Sequence, residues 1–262
     1  MKPVIKYQGG KSKELPLIKQ MLPRKFDRVV EPFCGGAAVS FGLQTPAILN
    51  DINPMVINLY KVLQSSDYAH VLNHINVIKT YEHDALQEAF YAARDVINNP
   101  EKFTPLIQAV SYIIVRQLCF SGMERYNAKG EFNVPFGHYK KMSYNLTPDH
   151  HTFLRKCDIR QGSFVDLFND VTADDFVFID PPYLERFGYT QGDSGDTLHE
   201  ELARCLKSTD AKWMIIHSDH DFYRESYKDF NIIDKDFSYA QRFGKGKDHS
   251  GAKVKHLYVT NY

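Results

Sequence analysis

The 262-residue chain predicts an α/β fold: a mixed, mostly parallel sheet flanked by helices, interrupted by a mostly helical insert that carries a β-hairpin. Three observations predict it. Short apolar segments such as Arg28-Val29-Val30-Glu31 and Phe176-Val177-Phe178-Ile179 have the β-branched and aromatic composition of strands covered on both faces. Turn and helix signals follow the early strands in the order that parallel sheets require. From about 66 to 120 the strand signals vanish and helical periodicity takes over. The length allows one large domain or two small ones with a full core.

In chain order, Arg28 to Glu31 reads as a first strand, Pro32-Phe33-Cys34-Gly35-Gly36 as a turn, and Ala37 to Leu43 as a helix. Ala47-Ile48-Leu49 is a second strand, closed by Asn50-Asp51-Ile52-Asn53-Pro54. The next helix places Val56, Leu59, Tyr60 and Leu63 at intervals of three and four. Phe103, Leu106, Ile107, Val110, Ile113, Ile114 and Leu118 form an apolar stripe on a core helix. The stretch 125–141 breaks this pattern and reads as a hairpin with Gly130 in its turn. Further strands are expected at 157–160, 176–179, Trp213 to His217 and 255–260.

Composition excludes several classes. Lys+Arg and Asp+Glu both number 32, so the chain as a whole is not a polycation. The charges are nevertheless segregated. Residues 166–201 are strongly acidic with Arg186 as their one base. The first 25 residues (Lys2, Lys6, Lys11, Lys13, Lys19, Arg24, Lys25) and the stretch Arg242, Lys245, Lys247, Lys253, Lys255 are basic, as a face meeting a phosphate backbone would be. Cys34, Cys119, Cys157 and Cys205 show no metal or disulfide spacing and suit a reducing compartment. No apolar run approaches the ~18 residues of a membrane span, and the N-terminus lacks a signal-peptide core. A soluble, cytoplasmic protein is expected.

The chemistry concentrates at strand ends. Phe176 to Ile179 runs into Asp180-Pro181-Pro182-Tyr183, and neither proline can donate to a sheet ladder. The strand therefore ends there and presents an acid and a ring at the sheet's carboxyl edge, where open α/β folds bind ligands. Glycines in the turn after the first strand allow close backbone approach at a helix N-terminus. Asp51 stands about 20 residues on, where Rossmann-like units place a ribose-binding acid. Each feature has a plainer reading on its own, as a turn, a helix cap or a surface acid. Gly9-Gly10-Lys11-Ser12 is not a phosphate loop, because the glycine required upstream is Ile5.

The order Lys6-Tyr7-Gln8-Gly9-Gly10-Lys11, Glu31-Pro32-Phe33-Cys34-Gly35-Gly36, Asp51, a helical insert with a hairpin, then Asp180-Pro181-Pro182-Tyr183 resembles the Dam-type DNA adenine N6-methyltransferases, the α-class, D12-type enzymes. The resemblance runs nearly the full length. It implies a Rossmann-like S-adenosylmethionine-dependent methyltransferase fold, with catalytic segments 1–60 and 151–262 and a target-recognition insert at 61–150. It implies cofactor contacts from Tyr7, Lys11, Glu31, Phe33, Gly35, Asp51, Phe164 and Asp180, with Lys11 a partner for the cofactor carboxylate and Asp51 for its ribose. Phe164 is the looser match and reads equally as a core phenylalanine. Catalysis falls to Asp180, Pro181, Pro182 and Tyr183, without a metal.

In such enzymes the adenine amino nitrogen needs acceptors for both hydrogens before its lone pair can attack. The Asp180 carboxylate and the Pro181 carbonyl are the expected pair, with the Tyr183 ring a shelf for a base taken out of the duplex. DNA contacts are implied for Lys6, Met123, Arg125, Asn127, Pro135, His138, Tyr139 and Lys140. Arg125 has the fork for a guanine edge; Met123 and Pro135 suit a thymine methyl. The hairpin resembles members that methylate adenine in GATC, except that His138 replaces an arginine, which implies a weaker phosphate contact or an altered flanking preference. The expected partner is double-stranded DNA, and the expected enzyme is a monomer in solution with more than one copy able to share DNA, bacterial or phage-encoded. Rival readings are a related methyltransferase acting on RNA or a protein amide, and a catalytically silent DNA-binding module.

Overall fold

The computed structural model describes residues 1–182, 195–239 and 252–262; Tyr183, Arg186, Asp193, Arg242, Lys245 and Lys247 lie outside the described residues. Strands β1 (Arg28–Glu31), β2 (Ala47–Asp51), β3 (Asp158–Gln161), β4 (Asp175–Ile179), β5 (Lys212–Ser218), β6 (Asn231–Tyr239) and β7 (Ala252–Thr260) join in one sheet, ordered β3-β2-β1-β4-β5-β7-β6. From β3 to β5 all neighbours are parallel. β7 runs antiparallel to both β5 and β6. The fold is the expected mixed, mostly parallel α/β sheet.

The helices are α1 (Leu15–Gln20), α2 (Ala38–Leu43), α3 (Pro54–Gln64), α4 (Tyr68–Ile78), α5 (His83–Asn98), α6 (Pro105–Leu118), α7 (Pro148–Leu154), α8 (Phe164–Leu167), α9 (Gly195–Ser208) and α10 (Asp221–Ser226). Two of them start by the same device, a capping side chain followed by proline. Asn53 Oδ1 accepts from Met55 N before Pro54-led α3, and the Thr104 hydroxyl accepts from Ile107 N before Pro105-led α6. The cap satisfies an orphan N–H, and proline wastes none. The stretch read as helical from 66 to 120 is thus three helices, broken at Lys79–Glu82 and around Pro100.

The sheet separates two cores. Val29, Leu49, Phe176, Phe178, Met214 and Ile216 face one side, where Phe41, Tyr60 and the apolar stripe of α6 pack. Val30, Ile48, Val177, Ile179, Trp213 and Ile215 face the other, with Leu202, Leu206, Tyr223 and Tyr227. Adjacent residues alternate between cores, so an apolar run with no polar member is what a sheet covered on both faces demands. The edge strand β6 was not expected. Its apolar pair Ile232 and Ile233 is followed by Asp234, Lys235 and Asp236, and an edge strand tolerates such charges because only one side is paired.

Trp213 anchors the second core, 1 % exposed, with its ring 4.9 Å from Phe230 and 5.6 Å from Tyr227. Trp213→Ala is expected to cost about 3–5 kcal/mol by leaving a cavity. Urea denaturation should show a lower midpoint at unchanged slope.

Candidate functional site

β1 pairs with β2 on one side and β4 on the other, so the direction of strand addition reverses at β1. The loops leaving adjacent strands part at such a point and open a crevice. Here the carboxyl ends of β1, β2, β3 and β4 surround a cavity of about 1950 Å³, lined by Glu31, Asp51, Phe164 and Asp180 among others. Tyr7, Lys11, Phe33, Gly35, Pro181 and Pro182 also line it, and from the insert so do Arg125 and Asn127, beside Lys6. The expected cofactor and catalytic residues within the described chain therefore meet at one cavity.

The turn after β1 is tied down at several peptides. Asn50 Nδ2 donates to Pro32 O at 3.0 Å and to Gly162 O at 3.1 Å, joining the loops after β1 and β3. Gly35 N donates to Asp51 Oδ2 at 2.8 Å, while Gly35 O accepts from the buried Tyr60 hydroxyl at 2.7 Å. Gly35 has φ +43, and a Cβ there would lie 2.6 Å from the Tyr7 ring. Only glycine lets Tyr7 lie across this turn. The other Asp51 oxygen accepts from Asn53 N at 2.9 Å. Burial raises the Asp51 pKa against the pull of these backbone donors. Each oxygen keeps a further lone pair for a ligand.

Phe33 and Phe164 pack at 5.2 Å between ring centroids and form an apolar wall. Phe164 serves both readings, since it belongs to the second core and lines the cavity. Ile52, beside Asp51, is 69 % exposed and faces the same space. A buried acid, an apolar wall and a glycine turn fit the ribose, adenine and methionine parts of an adenosyl cofactor.

Asp180 follows β4, with Pro181 buried and Pro182 exposed. Lys11, 2 % exposed, places its ammonium 2.6 Å from Asp180 Oδ1 and 2.8 Å from Gly9 O. The lysine expected to meet a cofactor carboxylate thus grips the acid after β4. Burial raises the Asp180 pKa, and Lys11 opposes that rise. Lys11 engages Oδ1, which leaves Oδ2 as an acceptor facing the cavity side of the pair.

The hairpin closes through a Tyr126–Phe132 bridge, with Asn133 N donating to Arg125 O. Asn127 builds the turn: its Oδ1 accepts from Lys129 N and Glu131 N, and Gly130 has φ +79. Arg125 is exposed, held by Nε on Asn133 Oδ1 at 2.7 Å. Lys6 Nζ donates to Gln117 O at 2.8 Å and sits 4.4 Å from the Tyr139 ring centre. Met123, Pro135, His138, Tyr139 and Lys140 lie along the hairpin, outside the cavity lining. His138 adopts φ +54 and stacks on His83, ring centres 6.0 Å apart.

Arg116 and Glu124 are the residues that sequence reasoning passed over. Arg116 is fully buried (0 % exposed), donates to the carbonyls of Lys6, Gly122 and Met123, and pairs with Glu124 at 3.3 Å. Its guanidinium lies 5.3 Å from the Tyr7 ring centre. Glu124 also accepts from the Tyr126 hydroxyl at 2.8 Å and from Asn53 at 3.4 Å. The available signal was a single charge, Arg116, in an otherwise uncharged run from Phe103 to Met123.

Residues 7–241 match the model of a family described as D12 class N6 adenine-specific DNA methyltransferase. The chain is 30% identical over 275 residues to the Type II methyltransferase M.CviBI of Paramecium bursaria Chlorella virus NC1A, covering all of both chains. It is 30% identical over 279 residues to the Type II methyltransferase M1.LlaDCHI of Lactococcus lactis subsp. cremoris, covering 100% of this chain and 96% of that one. It is 31% identical over 239 residues to the retron Ec67 DNA adenine methylase of Escherichia coli, covering 88% and 82%.

Glu31, expected as a cofactor contact, lines the cavity but also caps α2. Ala37 begins that helix in a left-handed conformation without a capping side chain, and Glu31 Oε1 accepts from Ser40 N at 2.8 Å instead. Burial pushes its pKa up to about 7, against the Ser40 hydrogen bonds. The unfolded chain therefore loses this proton first as pH rises, and stability falls between the ordinary carboxylate range and about 7. The full effect amounts to about 3 kcal/mol. Glu31→Gln should lose this dependence, so urea denaturation of the ligand-free chain near pH 5 and near pH 8 should show the variant gaining on the wild type at the higher pH. Parallel pH curves would sink the idea.

Proposed function

Because the chain belongs to the D12 class N6 adenine-specific DNA methyltransferase family, we propose that it methylates adenine N6 in double-stranded DNA, within GATC, using S-adenosylmethionine. The observation that carries this reading is Asp180 at the carboxyl edge of β4, clamped through one oxygen by buried Lys11 and opening onto the cavity shared by Gly35, Asp51 and Arg125. S-adenosylmethionine, when bound, supplies an electrophilic methyl group. The Asp51 carboxylate would hold its ribose, Phe164 with Ile52 its adenine, and Phe33 and Gly35 its methionine side.

The chain's own work is on the target amine. The adenine amino lone pair is delocalised into the ring, which makes the nitrogen a poor nucleophile. Asp180 Oδ2 accepts one amino hydrogen, and the Pro181 carbonyl accepts the other. As the nitrogen approaches tetrahedral geometry its lone pair is released toward the methyl group. Acceptors aimed in advance at developing charge cost no reorganisation during the reaction. Proline fixes φ at 181, which holds that carbonyl in place. Tyr183 shelves the base, which leaves the duplex because its amino group is unreachable in the stack.

Residues 61–150 carry recognition and residues 1–60 with 151–262 carry catalysis. Exposed Arg125, braced by Asn133, reads a guanine edge, and Met123 and Pro135 contact a thymine methyl. Lys6, Asn127, His138, Tyr139 and Lys140 hold the backbone.

Asp180→Ala should lower kcat per folded molecule on the order of a hundredfold, about 3 kcal/mol of transition-state stabilisation, beyond the stability lost by stripping buried Lys11 of its partner. Undiminished turnover in a labelled-methyl assay would remove the role. Arg125→Ala should relax discrimination at one base pair by about 1–3 kcal/mol; a uniform loss over all sequences would make it a phosphate contact. Sequencing N6-methyladenine in a methylation-free host that expresses the chain tests reaction and site together, and methylation absent from GATC would refute the assigned site.

A further inference from the structure

Behind the Lys11–Asp180 pair lies a second layer of buried polar groups. Glu14, one turn after Lys11, is 1 % exposed. Its Oε2 lies 3.0 Å from His256 Nδ1 and accepts from the Tyr258 hydroxyl. His256 and Tyr258 are two residues apart on β7, so both project from the same face of that strand, and both are fully buried. The four side chains and Asp180 span the whole chain, from residue 11 to residue 258.

Burying this many polar and ionised groups is expensive, and apolar side chains of similar volume would stabilise as well or better. Electrostatics give the cluster something to do. Lys11 favours the Asp180 carboxylate, Glu14 works against it, and His256 favours it weakly. Glu14 itself stays ionised: burial opposes this, but the His256 hydrogen bond and the charge of Lys11 prevail. Lys11 thus acts on both carboxylates: its ammonium touches Asp180, its charge also favours the Glu14 carboxylate, and its carbonyl accepts from Glu14 N at 3.0 Å. A carboxylate that holds only part of a lysine's charge remains a stronger acceptor than one fully neutralised. Among the described residues the pair is also felt by Glu31 at the end of β1, whose pKa Asp180 raises, and by His217 on β5, whose pKa Lys11 lowers.

We propose that Glu14, held by His256 and Tyr258, is a positioning residue for methyl transfer: it fixes Lys11 and divides its charge, so that Asp180 presents a strong acceptor to the target amine. This rests on Asp180 being that acceptor. The cluster makes the antiparallel strand β7 part of the reaction centre although none of Lys255 to Thr260 lines the cavity.

The test is steady-state methylation by the full chain, with S-adenosylmethionine and a duplex that the wild type methylates, comparing Glu14→Gln, Tyr258→Phe and Asp180→Asn across pH. Glu14→Gln keeps the shape and removes the charge. Its kcat should fall about tenfold with KM for both substrates unchanged. Without Glu14 the Asp180 carboxylate is held more tightly by Lys11, so the acid limb of the kcat–pH profile should move to lower pH. Tyr258→Phe should move the limb the same way by less. An acid limb that stays in place, with kcat falling only as the folded fraction falls, would overturn the proposal and leave the cluster a staple between the termini. Should Glu14→Gln not fold, the limb in Tyr258→Phe decides by itself. Undiminished turnover in Asp180→Asn would fail the parent reading instead, whatever the Glu14 variant does.

Discussion

A lysine ammonium almost wholly removed from water, 2.6 Å from a carboxylate that ends a central strand, constrains the architecture around it. Neither charge is tolerable alone. Removing one partner would leave the other uncompensated, at a cost on the order of 3–5 kcal/mol. The pair therefore fixes where the N-terminal segment must run: across the carboxyl edge of the sheet, with Lys11 over β4 and Tyr7 over the turn after β1. Gly35 must lack a side chain because Tyr7 lies against it. Glu14 must be buried beneath β7 because Lys11 is buried beside Asp180.

The same edge shows how a parallel sheet distributes labour. Asp51 ends β2, Glu31 ends β1 and Asp180 follows β4, so three acids share one cavity at different depths and with different partners. Backbone N–H groups hold Asp51, a helix start occupies Glu31, and an ammonium holds Asp180. The same chemical group thus meets three different balances: burial against backbone donors at Asp51, burial that pushes Glu31 up to about 7 at a helix start, and burial opposed by an ammonium at Asp180.

Much of this was legible in the sequence, and the reasons differ by element. β1, β2, β4 and β5 announced themselves because strands buried on both faces carry unbroken apolar runs. The hairpin was readable from Gly130, which sits at positive φ. Lys11, Asp51 and Asp180 stood out by their place at turns. The edge strand β6 escaped because one unpaired side lets charges into the pattern. Glu14, His256 and Tyr258 escaped for another reason: the contact joins residues 242 positions apart, and no local period encodes it. Arg116 was visible as a lone charge in an uncharged helical run, yet its meaning depended on Glu124, which sits beyond the helix in irregular backbone.

That last pair has a bearing on how new specificities could arise. Arg116 grips the carbonyls of Lys6, Gly122 and Met123, and Glu124 joins Arg116 to Tyr126 and to the cap of α3. The hairpin is thereby tied to the rest of the fold through a charged socket as well as through the buried Phe132, Val134 and Phe136. A hairpin transplanted from a relative without its own matched pair would strand a buried guanidinium or carboxylate and lose its footing before it met any substrate. Exchange of recognition between such enzymes should therefore proceed by whole segments, from the end of α6 through residue 126, more readily than by single residues at the hairpin tip.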